Sequence, residues 1–265
     1  MSNSRFHPSI DICQDAGAIS EVARQKIIDI LNKNSQITIA LSGGSTPKKL
    51  YHDLCENLPI IREKVIFLLG DERLYPVENE QTNYQMAFRE LLHKLPSDHL
   101  IPVDPTAAIA TSECEVEGIA GALAVAEDYE AKLHKRIPLM KWAKDGREIM
   151  TPVIDIVLLG FGSDGHTASI FPESVASKET ERTVSVAFPS PSMKPKVWRV
   201  SITPHVIQNA RHVLVLATGK DKSWVIKGIL NDECPSGAPV SRFLRDCKGD
   251  VSFVLDREAA ADIQP

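Results

Sequence analysis

Long apolar runs are missing from this chain: no stretch reaches the roughly 20 residues that a membrane-spanning helix requires. Residues 1–10 also lack the apolar core of a secretory signal. Neither membrane insertion nor export is expected. Cysteine is scarce, with five in 265 residues, and Cys13, Cys55, Cys114, Cys234 and Cys247 are scattered and odd in number. That excludes a disulfide-framed fold and points to reduced thiols in a cytosol-like compartment. CxxC and HExxH are absent, and the eight histidines do not gather with cysteines or carboxylates at ligand spacing, so no metal and no cofactor is expected. Basic residues are not in excess. A formal net charge of −5 argues against nucleic acid as a partner, and an anionic small molecule would need a local basic cluster. The C-terminal Asp262-Ile263-Gln264-Pro265 is not an SKL-type peroxisomal address, which favours a cytoplasmic location.

What the chain does have is the composition of a soluble globular protein, 43% hydrophobic and 25% charged. Its length suits one α/β domain over residues 1–265, and a monomer is expected. Ile19, Val22, Ala23, Ile27, Ile30 and Leu31 recur at helical spacing behind Asp15, which can cap that helix. Short apolar or β-branched runs at 37–41, 65–69, 155–159, 183–187, 197–202, 212–217 and 251–255 read as strands. Helical patterns at 48–57, 81–93, 116–133, 204–210 and 221–230 fall between them, and 138–152 reads as a solvent-exposed connection. This alternation implies a Rossmann-like, mostly parallel sheet with helices on both faces. Ligands of such sheets bind beyond the carboxyl ends of the strands. Loops 42–46, 70–73, 160–166 and 218–222 each follow a strand directly, so they are expected to form one site.

Ser42-Gly43-Gly44-Ser45-Thr46-Pro47 puts small residues at a helix start, with Thr46 a candidate N-cap and Pro47 a candidate first helical residue. Free N–H groups there, aided by the helix dipole, suit a phosphate held by Gly43, Gly44, Ser45 and Thr46. Thr218-Gly219-Lys220-Asp221-Lys222 repeats the strand-to-helix arrangement with two lysines, and Lys222 is taken as a phosphate contact. Lys194, Lys196 and Arg199 flank a strand start and add positive charge, with Lys194 and Arg199 as candidate substrate contacts. Gly160-Phe161-Gly162-Ser163-Asp164-Gly165 satisfies GxGxxG, but Pro172 follows too soon for the long helix of a dinucleotide site. The same loop offers His166, which can take a proton from water and return it to a leaving oxygen, and Asp164 to orient it. Asp71, Glu72 and Arg73 end a buried strand. Asp71 and Arg73 join the catalytic candidates.

Taken together, Leu41-Ser42-Gly43-Gly44-Ser45-Thr46-Pro47, Gly70-Asp71-Glu72-Arg73, Asn83-Tyr84 and Gly160-Phe161-Gly162-Ser163-Asp164-Gly165-His166-Thr167-Ala168-Ser169-Ile170-Phe171-Pro172 resemble the 6-phosphogluconolactonase family. Trp198-Arg199-Val200-Ser201 and Leu216-Ala217-Thr218-Gly219-Lys220 resemble it too. The resemblance implies hydrolysis of 6-phospho-D-glucono-1,5-lactone, a phosphosugar lactone, in the pentose phosphate pathway. The implied alternative is glucosamine-6-phosphate deaminase, which shares the fold and usually carries tyrosine where this chain has Arg73. Segment 138–152 matches no motif of the family.

Overall fold

The computed structural model describes residues 6–144, 146–189, 193–231 and 239–263; Cys234 lies outside them. The first part of the chain runs β1 (Ser9–Cys13), α1 (Ala16–Lys33), β2 (Ile37–Leu41), α2 (Ser45–Leu54), α3 (Leu58–Lys64) and β3 (Val65–Leu69). Next come β4 (Asp71–Arg73), α4 (Asn83–Glu90), β5 (Leu100–Ile101), α5 (Ile119–Arg136), β6 (Leu139–Lys144), β7 (Arg147–Pro152) and β8 (Ile156–Leu159). The last part holds α6 (Val175–Lys178), β9 (Val184–Ala187), β10 (Arg199–Ile202), α7 (Pro204–Gln208), β11 (His212–Ala217), α8 (Ser223–Leu230) and β12 (Asp250–Asp256).

Uninterrupted apolar strands need cover on both faces, and every residue of β2 and of β8 is buried. They lie inside a seven-stranded parallel sheet of order β1-β12-β11-β8-β2-β3-β5. The α1 stripe Ile19, Ala23, Ile27 and Leu31 is buried, and Asp15 caps the helix by accepting from the Ala18 N–H at 2.9 Å. From β2 the chain moves outward to β3 and β5; from β8 it moves the other way, to β11 and β12. The reversal between β2 and β8 opens a crevice at their carboxyl ends.

Three local expectations need correction. The strands at 183–187 and 197–202 do not enter the main sheet; they pair antiparallel with β4, in the order β4-β10-β9. Gly70 ends β3, and its carbonyl accepts from the Ile202 N–H at 2.9 Å, which turns the chain into this second sheet. β1, unforeseen because four of its five residues escape full burial, is an edge strand beside β12. Segment 138–152 is not an exposed connection but the β6/β7 hairpin, with Trp142 buried and its ring 5.2 Å from that of His205. Asp145-Gly146 between alternating residues was the hairpin signal in the sequence.

Burial pulls the His205 imidazole down to about 4, from an ordinary 6.5, so the folded chain holds it neutral at pH 7. The unfolded chain protonates below about 6.5 and the folded chain only below about 4. Stability is therefore undiminished above pH 6.5 and is lost as pH falls through that window, by about 3 kcal/mol near pH 4. Urea unfolding at pH 7 and 4.5 checks this: His205→Gln should lose less stability on acidification than wild type.

Candidate active site

Where β2 ends, the buried hydroxyl of Tyr51 on α2 accepts from the Ser42 N–H and donates to the Ser42 carbonyl, both at 2.8 Å. These bonds fix the strand exit, and burial pushes the phenol far above its ordinary titration range. Gly44 follows at φ 104, in the region that favours glycine, and the helix begins at Ser45. Gly44, not Thr46, is thus the N-cap, and Pro47 is the third helical residue, where its missing N–H costs no helical bond. No side chain caps this end, so first-turn N–H groups remain available to a ligand. The Thr46 hydroxyl instead meets that of Thr218 at 3.2 Å, joining the β2 and β11 loops.

The loop after β8 contains the histidine. His166 Nδ1 lies 2.5 Å from Asp164 Oδ1, which also accepts the His166 N–H at 3.2 Å. The His166 side chain is about one-fifth exposed, and its Nε2 has no protein partner among the described residues. Burial raises the Asp164 carboxyl, but its contacts with His166 more than offset this and leave it below the ordinary value. Gly162 permits the approach: a Cβ there would stand 2.0 Å from Nδ1. No long helix follows this loop; Thr167 and Ile170 form an isolated bridge, and the next helix is the four-residue α6. That removes the support a dinucleotide fingerprint needs.

β4 and β10 place Arg73 and Arg199 directly opposite each other. Arg199 is 4% exposed; burial lowers its guanidinium to about 10, which leaves it charged at neutral pH. The Nε atoms of both arginines are buried without a partner, and neither arginine forms an ion pair among the described residues. Arg73 is anchored by donating to the Gln81 carbonyl. Asp71 has both oxygens engaged, accepting from Asn83 Nδ2 at 3.0 Å and Ser169 Oγ at 2.6 Å. Lys222 ends the 3-10 turn Lys220–Lys222 ahead of α8, where its Nζ is 2.5 Å from Asp221 Oδ2.

A cleft of ≈ 450 Å³ unites these parts. The β2 loop supplies Gly43, Gly44, Ser45 and Thr46, the second sheet Asp71, Arg73 and Arg199, and the other two loops His166 and Lys222. Asp164 stands behind the histidine rather than in the lining. Lys194 is exposed and outside the lining, so it does not join the other candidates. Asn83 lines the cleft and was given no role from sequence, where it falls inside the helical pattern at 81–93 and carries no charge or proton chemistry of its own. A larger hollow, ≈ 530 Å³, opens at the amino ends of β8, β11 and β12. Its Lys26 and His212 already face Asp11 and Asp250, and it lacks the convergent chemistry of the cleft.

The profile of the glucosamine-6-phosphate isomerases/6-phosphogluconolactonase family matches residues 14–253. The chain belongs to this family. Bovine 6-phosphogluconolactonase is 31% identical over 245 residues, 90% of this chain and 85% of the relative. The crystal structure of 6-phosphogluconolactonase from Leishmania guyanensis superposes with a TM-score of 0.93 at 48% identity, covering 98% of this chain and all of the other. A monomeric glucosamine-6-phosphate deaminase, 16% identical with a TM-score of 0.72, shares the fold alone. In this family member a Cβ on Gly43 would stand 2.2 Å from Asn83 Oδ1. Gly43→Ala is therefore expected to push Asn83 off Asp71 and raise KM for a phosphosugar about tenfold, as loss of about 1.4 kcal/mol of binding would; steady-state kinetics of the variant test it.

Proposed function

We propose that this chain hydrolyses 6-phospho-D-glucono-1,5-lactone to 6-phosphogluconate, the second step of the oxidative pentose phosphate pathway. One observation carries this: an imidazole whose Nδ1 is held by a carboxylate shares one cleft with an uncapped helix start. His166 Nε2 takes a proton from water as the water oxygen attacks the lactone carbonyl. The tetrahedral oxyanion collapses, the bond to the ring oxygen breaks, and the imidazolium returns its proton to that oxygen. Asp164 holds the ring in the tautomer with Nε2 unprotonated. Arg73 and Arg199, whose Nε atoms are buried without a partner among the described residues, offset the oxyanion or hold the substrate. The backbone at 43–46 and Lys222 grip the phosphate, remote binding energy that positions the carbonyl. Asp71 acts by holding Asn83 and Ser169 in place.

A dehydrogenase-coupled assay of lactone hydrolysis, run beside an ammonia assay on glucosamine 6-phosphate, decides between the family's two chemistries. Lactone turnover above the spontaneous background without ammonia release is expected; the reverse pattern selects the deaminase. The scattered, odd-numbered cysteines favour the reducing cytosol, and the mass in solution is expected to be that of one chain.

A further inference from the structure

Phe171 touches two functional groups of the cleft at once. Its ring centroid lies 4.8 Å from that of His166, the planes inclined at 59°. The guanidinium carbon of Arg199 sits over the same ring, 5.2 Å from its centroid. Phe171 is 3% exposed and Arg199 4%, so water screens the arginine contact weakly. The proton transfers alone do not require an aromatic residue there, since any apolar side chain would fill the space. The charges do. When His166 accepts a proton, a second cation forms against a ring that already carries a charged guanidinium, and like charges within reach of one another disfavour that step. The negative face of a benzene ring attracts cations, more strongly once they are desolvated.

The carboxylates around the two groups do part of this work, but none of them lies between the imidazole and the ring it shares with Arg199. Asp164 meets the imidazole directly, on Nδ1. Asp71 and Glu72 on β4 act on the Arg199 guanidinium, against the further cation Arg73, and Asp221 is paired with Lys222; among the described residues none of these contacts the imidazole.

We propose that Phe171 is a positioning residue for the hydrolysis, its ring a common aromatic support for the imidazole of His166 and the guanidinium of Arg199 that lets the imidazole become charged on the ring the arginine already occupies. The assignment rests on His166 being the general base. Phenylalanines carrying one, two or three ring fluorines, incorporated at position 171 alone, keep nearly the same volume while weakening the negative face. The acid limb of kcat/KM reports protonation of the base in the free enzyme. It is expected to move to lower pH along the series, by about half a unit to one unit, with a few-fold fall in the plateau rate as the base weakens. Phe171→Leu should shift it in the same direction if the variant folds, and the fluorinated series does not depend on that. An acid limb that stays in place across the series, with His166→Asn inactive, overturns the role of Phe171 alone. Full activity of His166→Asn overturns the base assignment and this inference with it.

Discussion

His166→Asn is expected to lower kcat for lactone hydrolysis by about 10²–10⁴-fold while KM changes little. Asparagine keeps a polar group near Asp164 but has no nitrogen that gains and loses a proton near neutral pH. Water would then attack the carbonyl without a base, and the ring oxygen would leave without an acid. The phosphate grip proposed for Gly43 to Thr46 and Lys222 lies in other loops of the cleft, so ground-state binding should survive. The coupled assay must be corrected for spontaneous lactone opening, which sets the floor. A variant within a few-fold of wild type above that floor would remove the histidine from the mechanism.

Gly162→Ala should approach the same loss without replacing a functional side chain. The added methyl would sit 2.0 Å from His166 Nδ1, 2.1 Å from Cε1 and 2.6 Å from Asp164 Oδ1, where ordinary contacts need about 3.5 Å. The loop has little room to retreat. A Cβ on Gly165 would meet Pro239 at 2.6 Å, and Trp224 donates from Nε1 to the Ser163 carbonyl at 3.1 Å. The imidazole must therefore leave Asp164 by an ångström or more, a misplacement that costs about 10² in rate. The displaced groups are polar and partly exposed, so Tm should fall by only a few degrees. A fall in kcat of less than threefold in a folded variant would show that the close approach of Gly162 to His166 has no part in turnover.

Much of this was legible in the chain itself. Apolar strands ending in glycine-rich loops marked β2, β3, β8 and β11, and because parallel strands share a direction, those loops had to meet at one rim. The apolar runs of β9 and β10 were visible, but their partners were not: a buried run carries no mark of whether its neighbour is parallel or antiparallel. Gly44 as N-cap was hidden because a threonine before proline is the commoner start signal. Lys194 and Arg199 looked equivalent as nearby cations; only the antiparallel register to β4 brings Arg199 beside Arg73 and leaves Lys194 in solvent. The hold of Asp71 on Asn83 and Ser169 spans 12 and 98 positions, and no local pattern encodes a bond of that kind.

The seam between β2 and β8 is narrow, with only Ile39↔Ile156 and Ala40↔Val157 in register. The glycine turn proposed to hold phosphate hangs from one side of it and the imidazole from the other. On the proposed mechanism neither half-sheet alone would turn over substrate, so activity would report on the zipping of that seam. During refolding from urea, recovered activity is expected to trail the return of helical circular dichroism, because local helices can form before the two sides of that seam are in register.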